Sequence, residues 1–372
     1  MVLGSVAKVA LSAVVLTSAL PGCGRTQENP QDPREQPGPG GVPTTNGGMP
    51  TAMPLPVAGG GNSSGSIQGG NAGAAGATTD PSPNVGGQPA NNAAWPSLGC
   101  DRPALQVAGA WQLYSVHVTG ATLDPTFTVA EHDRAYGVWL PKGYDPSQPY
   151  RTVYLAHCGS NGTGDSRYTS TTEGDPNVIY VGLASGTPNF NDCYDNSGLQ
   201  STEWEYFGLV AGEVEGAFCV DKNAELVAGQ GLGGTLANML GCYFSGIDPA
   251  RTFGPNISVR AQYAVVAPLP KNLPACGGPV AGLWLHDPGE YLPIADSRAS
   301  LDRVLTQNGC ADSVTTDWGT GSIAGIGCKK YLGCPAEYPV VFCETPGHGK
   351  QGNYFSITVP AEKQFAAELS PH

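Results

Sequence analysis

Glu225-Leu226-Val227-Ala228-Gly229-Gln230-Gly231-Leu232-Gly233-Gly234 is the stretch whose reading decides the fold. Its first four residues read as a strand, and Leu232–Cys242 reads as a helix. Strand, tight glycine turn and helix together form the setting of a nucleophile elbow, G-x-S-x-G. Gly229 and Gly233 fill the flanking positions, where strand and helix pack too closely for a larger side chain. The middle position is Gly231, where the chemistry needs Ser, Cys or Asp. Glycine has no nucleophilic atom.

The same glycines allow another reading. Gly229, Gly231 and Gly234 have the G-x-G-x-x-G spacing of a dinucleotide loop, also between strand and helix. That loop calls for an acidic residue about 20 positions on, at the end of the next strand. Asp248 is near in number but reads as loop, and the unit falls in mid-domain rather than on a first strand. The elbow is the better reading.

Working outward, strands and helices alternate. Trp111–Val118 alternates apolar and polar residues and reads as an edge strand. Tyr136–Leu140 is a strand closed by Pro141-Lys142-Gly143-Tyr144. Thr152–Ala156 and Val178–Leu183 are continuous apolar runs, as suits strands buried on both faces of a parallel sheet. Glu203–Val214 has helical spacing. Gln262–Ala267, Val280–Leu285 and Val340–Cys343 read as strands. Arg298–Asn308 reads as a helix stopped by Gly309, and Pro360–Leu369 as a closing helix. The alternation predicts a doubly wound α/β sheet, mostly parallel, with helices on both faces.

The first residues are of another kind. Lys8 is followed by an apolar stretch from Val9 to Leu20, too short to span a bilayer but suited to a signal peptide. It ends Leu20-Pro21-Gly22-Cys23, which resembles a bacterial lipoprotein signal, in which Cys23 would be lipidated; ordinary secretion is the alternative. Residues 23–95 are rich in Pro, Gly, Asn, Ser and Thr, with few large apolar residues to offset the entropy of ordering. They read as a tether. Expected divisions are therefore 1–22 for the signal, 23–95 for the linker and 96–372 for the folded domain.

The net charge is −13 with no basic cluster, which argues against a nucleic-acid partner. Beyond Cys23 there are ten of the 11 cysteines. An even number in an exported domain predicts disulfides. Connectivity does not follow from sequence; Cys328–Cys334 and Cys310–Cys343 are expected as local pairings. No paired C-x-x-C knuckle and no H-E-x-x-H occurs, so no zinc site is expected.

Several motifs in order resemble the secreted feruloyl esterase and polyhydroxybutyrate depolymerase-like family. The helix Gly233-Gly234-Thr235-Leu236-Ala237-Asn238-Met239-Leu240-Gly241-Cys242 is similar to the one after that family's elbow. Phe218-Cys219-Val220-Asp221 resembles the segment before its elbow strand. His157-Cys158-Gly159 resembles its oxyanion loop, one glycine short, and Cys193-Tyr194-Asp195 resembles its Cys-Trp-Asp. Asn308-Gly309-Cys310 and Cys328 to Cys334 are similar to its late cysteine pattern. The likeness runs from about Tyr136 to His348. It implies an α/β-hydrolase fold, a serine carboxylic ester hydrolase ancestry, no cofactor or metal, and an ester or acylated polysaccharide as ligand.

The resemblance also places the rest of the site. His286-Asp287-Pro288-Gly289-Glu290 matches the family's acid loop, with Glu290 at the acid position and Asp287 as the runner-up. His348, after Val340–Cys343, matches the base. Backbone N–H groups of Leu232 and Cys158 would form the oxyanion hole. His157 and His286 would shape loops, and His117 and His132 read as surface or strand residues. In the serine mechanism the hydroxyl attacks, His takes its proton and the acid orients His. Without the serine, turnover falls by ~10⁶, leaving ~10³ to 10⁴ over water from binding and the oxyanion hole. Three expectations follow: a ligand-binding domain with impaired catalysis, an esterase that uses water activated by His348, or an envelope lipoprotein that keeps the fold as a scaffold. A monomer is expected, touching a membrane only through a lipid anchor.

Overall fold

The computed structural model describes residues 94–123, 129–157, 175–185, 194, 202–265, 267, 276–290, 292–311, 314–347 and 355–369. All lie within one compact unit, Pro50–His372. The expected signal and linker, with Cys23, lie outside the described residues. Trp95 is already fixed: its N–H donates to the Asp221 carboxylate (2.9 Å), and its carbonyl accepts from Lys222 N–H (2.9 Å).

Among the described residues a ten-stranded sheet runs β1-β2-β4-β3-β5-β6-β7-β10-β9-β8. The strands are β1 Trp111–Val118, β2 His132–Trp139, β3 Tyr150–Ala156, β4 Val178–Leu183, β5 Val220–Gln230, β6 Ala261–Val265, β7 Ala281–His286, β8 Thr315–Asp317, β9 Cys328–Tyr331 and β10 Val340–Glu344. From β4 through β10 the central neighbours are parallel, and antiparallel pairs flank them at both edges. The central strands β4, β6 and β7 are buried at every residue, because helices cover both faces. This order, with its crossover at β3 and β4 and a helix directly after β5, is the α/β-hydrolase fold.

Helices α1 Glu203–Ala217 and α2 Leu232–Tyr243 cover one face, packing Trp204, Phe207, Leu236 and Met239 against Tyr136, Tyr154 and Val181. Helix α3, Ile294–Asn308, packs Leu301 and Val304 on Trp284 and Phe342. It ends at Gly309 in the left-handed region (φ 66°), as the glycine there predicted. Helix α4, Phe355–Glu368, covers the other face through Ile357 and Phe365.

Two buried glutamates in the first turn of α1 tie helix to sheet. Glu203 pairs with Arg134 (2.9 Å), which also donates to the Ala184 carbonyl. Glu205 accepts from Thr119 N–H and hydroxyl, Gly120 N–H and Ala121 N–H.

Four sequence expectations change. Helix α4 starts at Phe355, not Pro360, so Pro360 lies inside it. A proline past the first turn gives up one backbone bond; apolar packing of Ile357, Ala361 and Phe365 on the sheet side outweighs that loss. β5 begins at Val220, upstream of Glu225, because Val220 pairs with Tyr150 and Asp221 with Pro96. The short strands β8 and β9 were not expected at all. Finally, the local cysteine pairings are replaced. Cys343 faces Cys328 across the β10–β9 ladder and bonds to it, while Cys310 bonds to Cys334. Direct cross-strand neighbours bring Cβ atoms within disulfide reach, which proximity in sequence does not. Cys100–Cys219 and Cys242–Cys276 complete the four bonds among the described residues. Such bonds persist in oxidising compartments and are consistent with export. Peptide mapping under non-reducing conditions should recover Cys328 linked to Cys343; a Cys328–Cys334 peptide would contradict the β9–β10 register.

Glu362 of α4 is buried, and its Oε2 meets no hydrogen-bond partner among the described residues. Burial pushes its carboxyl up to about 7, with Lys363 and Arg151 acting the other way. The folded chain thus holds a proton that the unfolded chain releases. The stability from this group is full below about pH 4.5 and is lost as pH rises through about 7. Glu362→Gln should therefore raise the melting temperature at pH 8, by roughly 3 kcal/mol in stability, and do little at pH 4. An equal gain at both pH values would show that the carboxyl is not the cause.

Candidate active site at the carboxyl edge of the sheet

Parallel strands deliver the loops that follow β3, β5, β6, β7 and β10 to one edge, where α/β folds place their sites. The elbow is built first. β5 runs into Gly231, whose backbone stands at φ 59°, ψ −126°, and α2 starts at once. The Gly231 N–H donates to the Val265 carbonyl at the end of β6 (2.9 Å), and its carbonyl accepts the first helical bond, from Thr235 N–H (3.0 Å). Both bonds fix the turn. A Cβ on Gly229 would penetrate the Gly233 carbonyl, and one on Gly233 would penetrate the Ala156 carbonyl of β3. The flanking glycines are thus a steric necessity. At Gly231 a Cβ would meet none of the described residues within 4 Å. The turn therefore has the form of an elbow, with no side chain in it. Leu232, half-buried, opens α2, and helix-opening N–H groups have no intrahelical acceptor.

The loop in which the acid is expected follows β7. Asp287 is 3 % exposed, and its Oδ1 accepts from Gly289 N–H (2.7 Å). Its carbonyl accepts from Glu290 N–H (3.0 Å). Asp287 thus shapes the turn, and Glu290 stands half-buried at its end. His286 is fully buried, and burial holds its imidazole below the ordinary histidine range. The Leu292 carbonyl lies 3.0 Å from Nε2 and can only accept, so Nε2 carries the hydrogen. The Ser297 hydroxyl lies between Nδ1 (2.8 Å) and the Ala267 carbonyl (3.0 Å), with one proton to give to either. His286 therefore fastens the acid loop to α3.

The loop in which the base is expected follows β10, which lies beside β7 with Glu344 in register with His286. Thr345 N–H donates to the His286 carbonyl (3.0 Å), holding the two loops together at their roots. Gly347 (φ 82°) leads out of the described segment, and His348 lies outside the described residues. Cys158 also lies outside them. Its loop leaves β3 through His157, whose N–H donates to the Tyr194 hydroxyl (3.1 Å); that hydroxyl donates to the Leu183 carbonyl (2.7 Å). Burial drives the Tyr194 hydroxyl pKa far up, so it stays protonated. Tyr194 was visible in sequence only as the aromatic of Cys193-Tyr194-Asp195; its service as the prop of this loop was not. Ser297 and the Val265 carbonyl gave no sequence sign of their part.

The structure thus brings Gly231, Leu232 and Glu290 to the same edge. β5 and β7 are separated only by β6, a gap of about 10 Å between strand axes, and β10 continues the row.

No family model matches the chain. Among curated proteins it is 26% identical over 265 residues to "Feruloyl esterase C" of Emericella nidulans, covering 66% of this chain and 88% of that protein. It is 28% identical over 239 residues to "Feruloyl esterase D" of Neurospora crassa, covering 60% of this chain and 71% of that protein. The chain is a homologue of the feruloyl esterases. This relation to carboxylic ester hydrolases agrees with the elbow at Gly231 and the strand order. Among solved structures, the feruloyl esterase module from Clostridium thermocellum complexed with sinapinate is 14% identical, with a TM-score of 0.43, covering 74% of this chain and 97% of that chain. The acetyl xylan esterase from Aspergillus awamori is 13% identical, with a TM-score of 0.45, covering 68% and 99%.

Proposed function

We propose that this chain is an exported ester-binding domain of feruloyl-esterase descent that has lost the acyl-enzyme route at Gly231. The observation that carries the reading is the conformation of Gly231, φ 59° and ψ −126° between β5 and α2. A non-glycine residue disfavours such a backbone, and a fold that needed only a turn there would have no reason to keep the flanking glycines against β3. The site around it follows the serine-hydrolase plan. Glu290 orients His348, and the N–H groups of Leu232 and Cys158 face the ester carbonyl oxygen. What is missing is the atom that would form the acyl bond. Residues 1–22 act as an export signal, Cys23 carries the lipid anchor, and 23–95 tether domain 96–372 away from the membrane. The ligand is an ester of an aromatic or short-chain acid.

The direct test uses the full chain with methyl ferulate and p-nitrophenyl acetate. Saturable binding of methyl ferulate is expected, with turnover at least ~10³ below that of a serine esterase and no labelling by a fluorophosphonate. Turnover of ordinary esterase size would overturn the reading and favour water activated by His348.

A further inference from the structure

A groove of about 520 Å³ runs beside helix α1. Gly208, Gly212 and Gly216 border it. They are four residues apart, so they share one face of the helix and raise no side chain from it. At one end a Cβ on Gly208 would come within 3.1 Å of the Gly254 nitrogen. At the other the Glu215 carbonyl accepts from Gly99 N–H (2.8 Å). Pro96, Leu98, Ile247 and Ile257 give the lining its apolar character. Leu98 is 82 % exposed, a large apolar side chain left in solvent at the rim.

The charges of the groove are already used. Lys222 pairs with Glu215 (2.7 Å), donates to the Asn256 carbonyl (3.0 Å) and lies over the Trp95 ring at 5.1 Å. An ionic occupant would have to break these contacts, whereas an apolar one covers Leu98 and its neighbours without that loss. The chain itself points to the occupant. Ala94 is the first described residue, and Trp95 and Pro96 line the groove, so the tether arrives at this place. The densest apolar run of the tether is Met53-Pro54-Leu55-Pro56-Val57, inside a span, 36–79, that carries no charge. Met53 and Leu55 each precede a proline, which disfavours the helical region and holds them extended. Extended residues alternate sides, so Met53, Leu55 and Val57 share one apolar edge. Pro54 and Pro56 have no N–H to desolvate. Five extended residues span about 13 Å, and Gly208 to Gly216 covers about 12 Å of helix. The 37 residues from Val57 to Ala94 span roughly 35 Å on average. The run therefore meets the groove at an effective concentration on the order of 1 mM.

We propose that Met53-Pro54-Leu55-Pro56-Val57 docks in this groove of its own chain. The tether is then divided in two. Residues 58–93 close a loop against the domain, and only 23–52 separate the domain from whatever holds residue 23. The free reach falls by more than half in residues. Docking adds little to the stability of the domain itself, so it is read by solvent access rather than by melting. It depends neither on the ester-binding reading nor on lipidation of Cys23.

The test uses the full chain and dilute hydrogen peroxide, with the sulfoxide at each methionine followed by fragment mass spectrometry. Met49 lies four residues upstream of Met53, outside the run, and is the internal control. Met53 should oxidise about ten-fold more slowly than Met49, as for a contact with a Kd of about 0.1 mM at that effective concentration. Leu55→Asp, in the tether, and Leu98→Asp, at an exposed position, should each bring the two rates together. Equal rates in the unaltered chain overturn the proposal. So does slow oxidation of Met53 that survives Leu98→Asp, which would place the run elsewhere. Slow oxidation that is lost on dilution would put the run in the groove of a second copy, and would overturn it too.

Discussion

Gly231→Ser is expected to convert this chain into a working esterase, raising kcat on methyl ferulate by about 10⁴-fold or more. The elbow is already bent, so the new hydroxyl needs no rearrangement to stand above the carboxyl edge. Its Cβ meets none of the described residues within 4 Å, so none of them gives a steric reason for the turn to open. The cost falls on the backbone. Serine at φ 59° is strained by about 1–3 kcal/mol, and the melting temperature should drop as activity rises. Opposite movements of stability and turnover are the signature of strain held at a site. Fluorophosphonate should label the variant at position 231, and His348→Ala in the Gly231→Ser background should abolish both labelling and turnover. A folded Gly231→Ser protein that takes no label would show that Glu290 and His348 are not assembled around the elbow, and the scaffold reading would gain.

The elbow was legible because it is local. Glu225–Ala228, the glycines and the helix from Leu232 carry their own periodicity, and the steric demand on Gly229 and Gly233 acts within a few residues. The loop from Asp287 to Glu290 was marked out only by its resemblance to a family pattern; its closure through Asp287 left no sign in the sequence. What the sequence hid is long-range. β8 and β9 are short, polar and at the edge, so their pairing with β10 leaves no apolar run. Without β9, nothing sets Cys328 opposite Cys343, and distance along the chain then favours the wrong partners. The start of β5 was hidden too, since Asp221-Lys222-Asn223 has the composition of a turn and continues the strand only because Trp95–Ser97 pair with Val220–Lys222. Pro360 misled in the other direction. A proline usually opens a helix, and only the packing of Ile357, one turn before Ala361, against the sheet shows that α4 is under way before it.

The same local sterics make a second large effect predictable, and a control of opposite sign. Gly233→Ala puts a methyl group into the Ala156 carbonyl and within contact of the His157 N–H. These atoms belong to β3, which is bonded on both sides to β4 and β5. They cannot swing away as a flexible side chain would. The strand or α2 must move, and the loss should be about 3 kcal/mol or more, at the upper end of overpacking costs. Movement of α2 would also carry Leu232 and Gly231 away from the acid loop, so ester binding should fall with stability. Gly212→Ala adds the same methyl group to α1, at an exposed position where a Cβ meets none of the described residues within 4 Å. There alanine improves helix propensity and reduces the freedom of the unfolded chain, a gain of about 0.5–1 kcal/mol. Thermal denaturation of the two variants should therefore shift in opposite directions from the parent. If Gly233→Ala melts at the parent temperature, α2 does not rest on β3 at this point, and the closeness of strand and helix that defines the elbow would have to be given up.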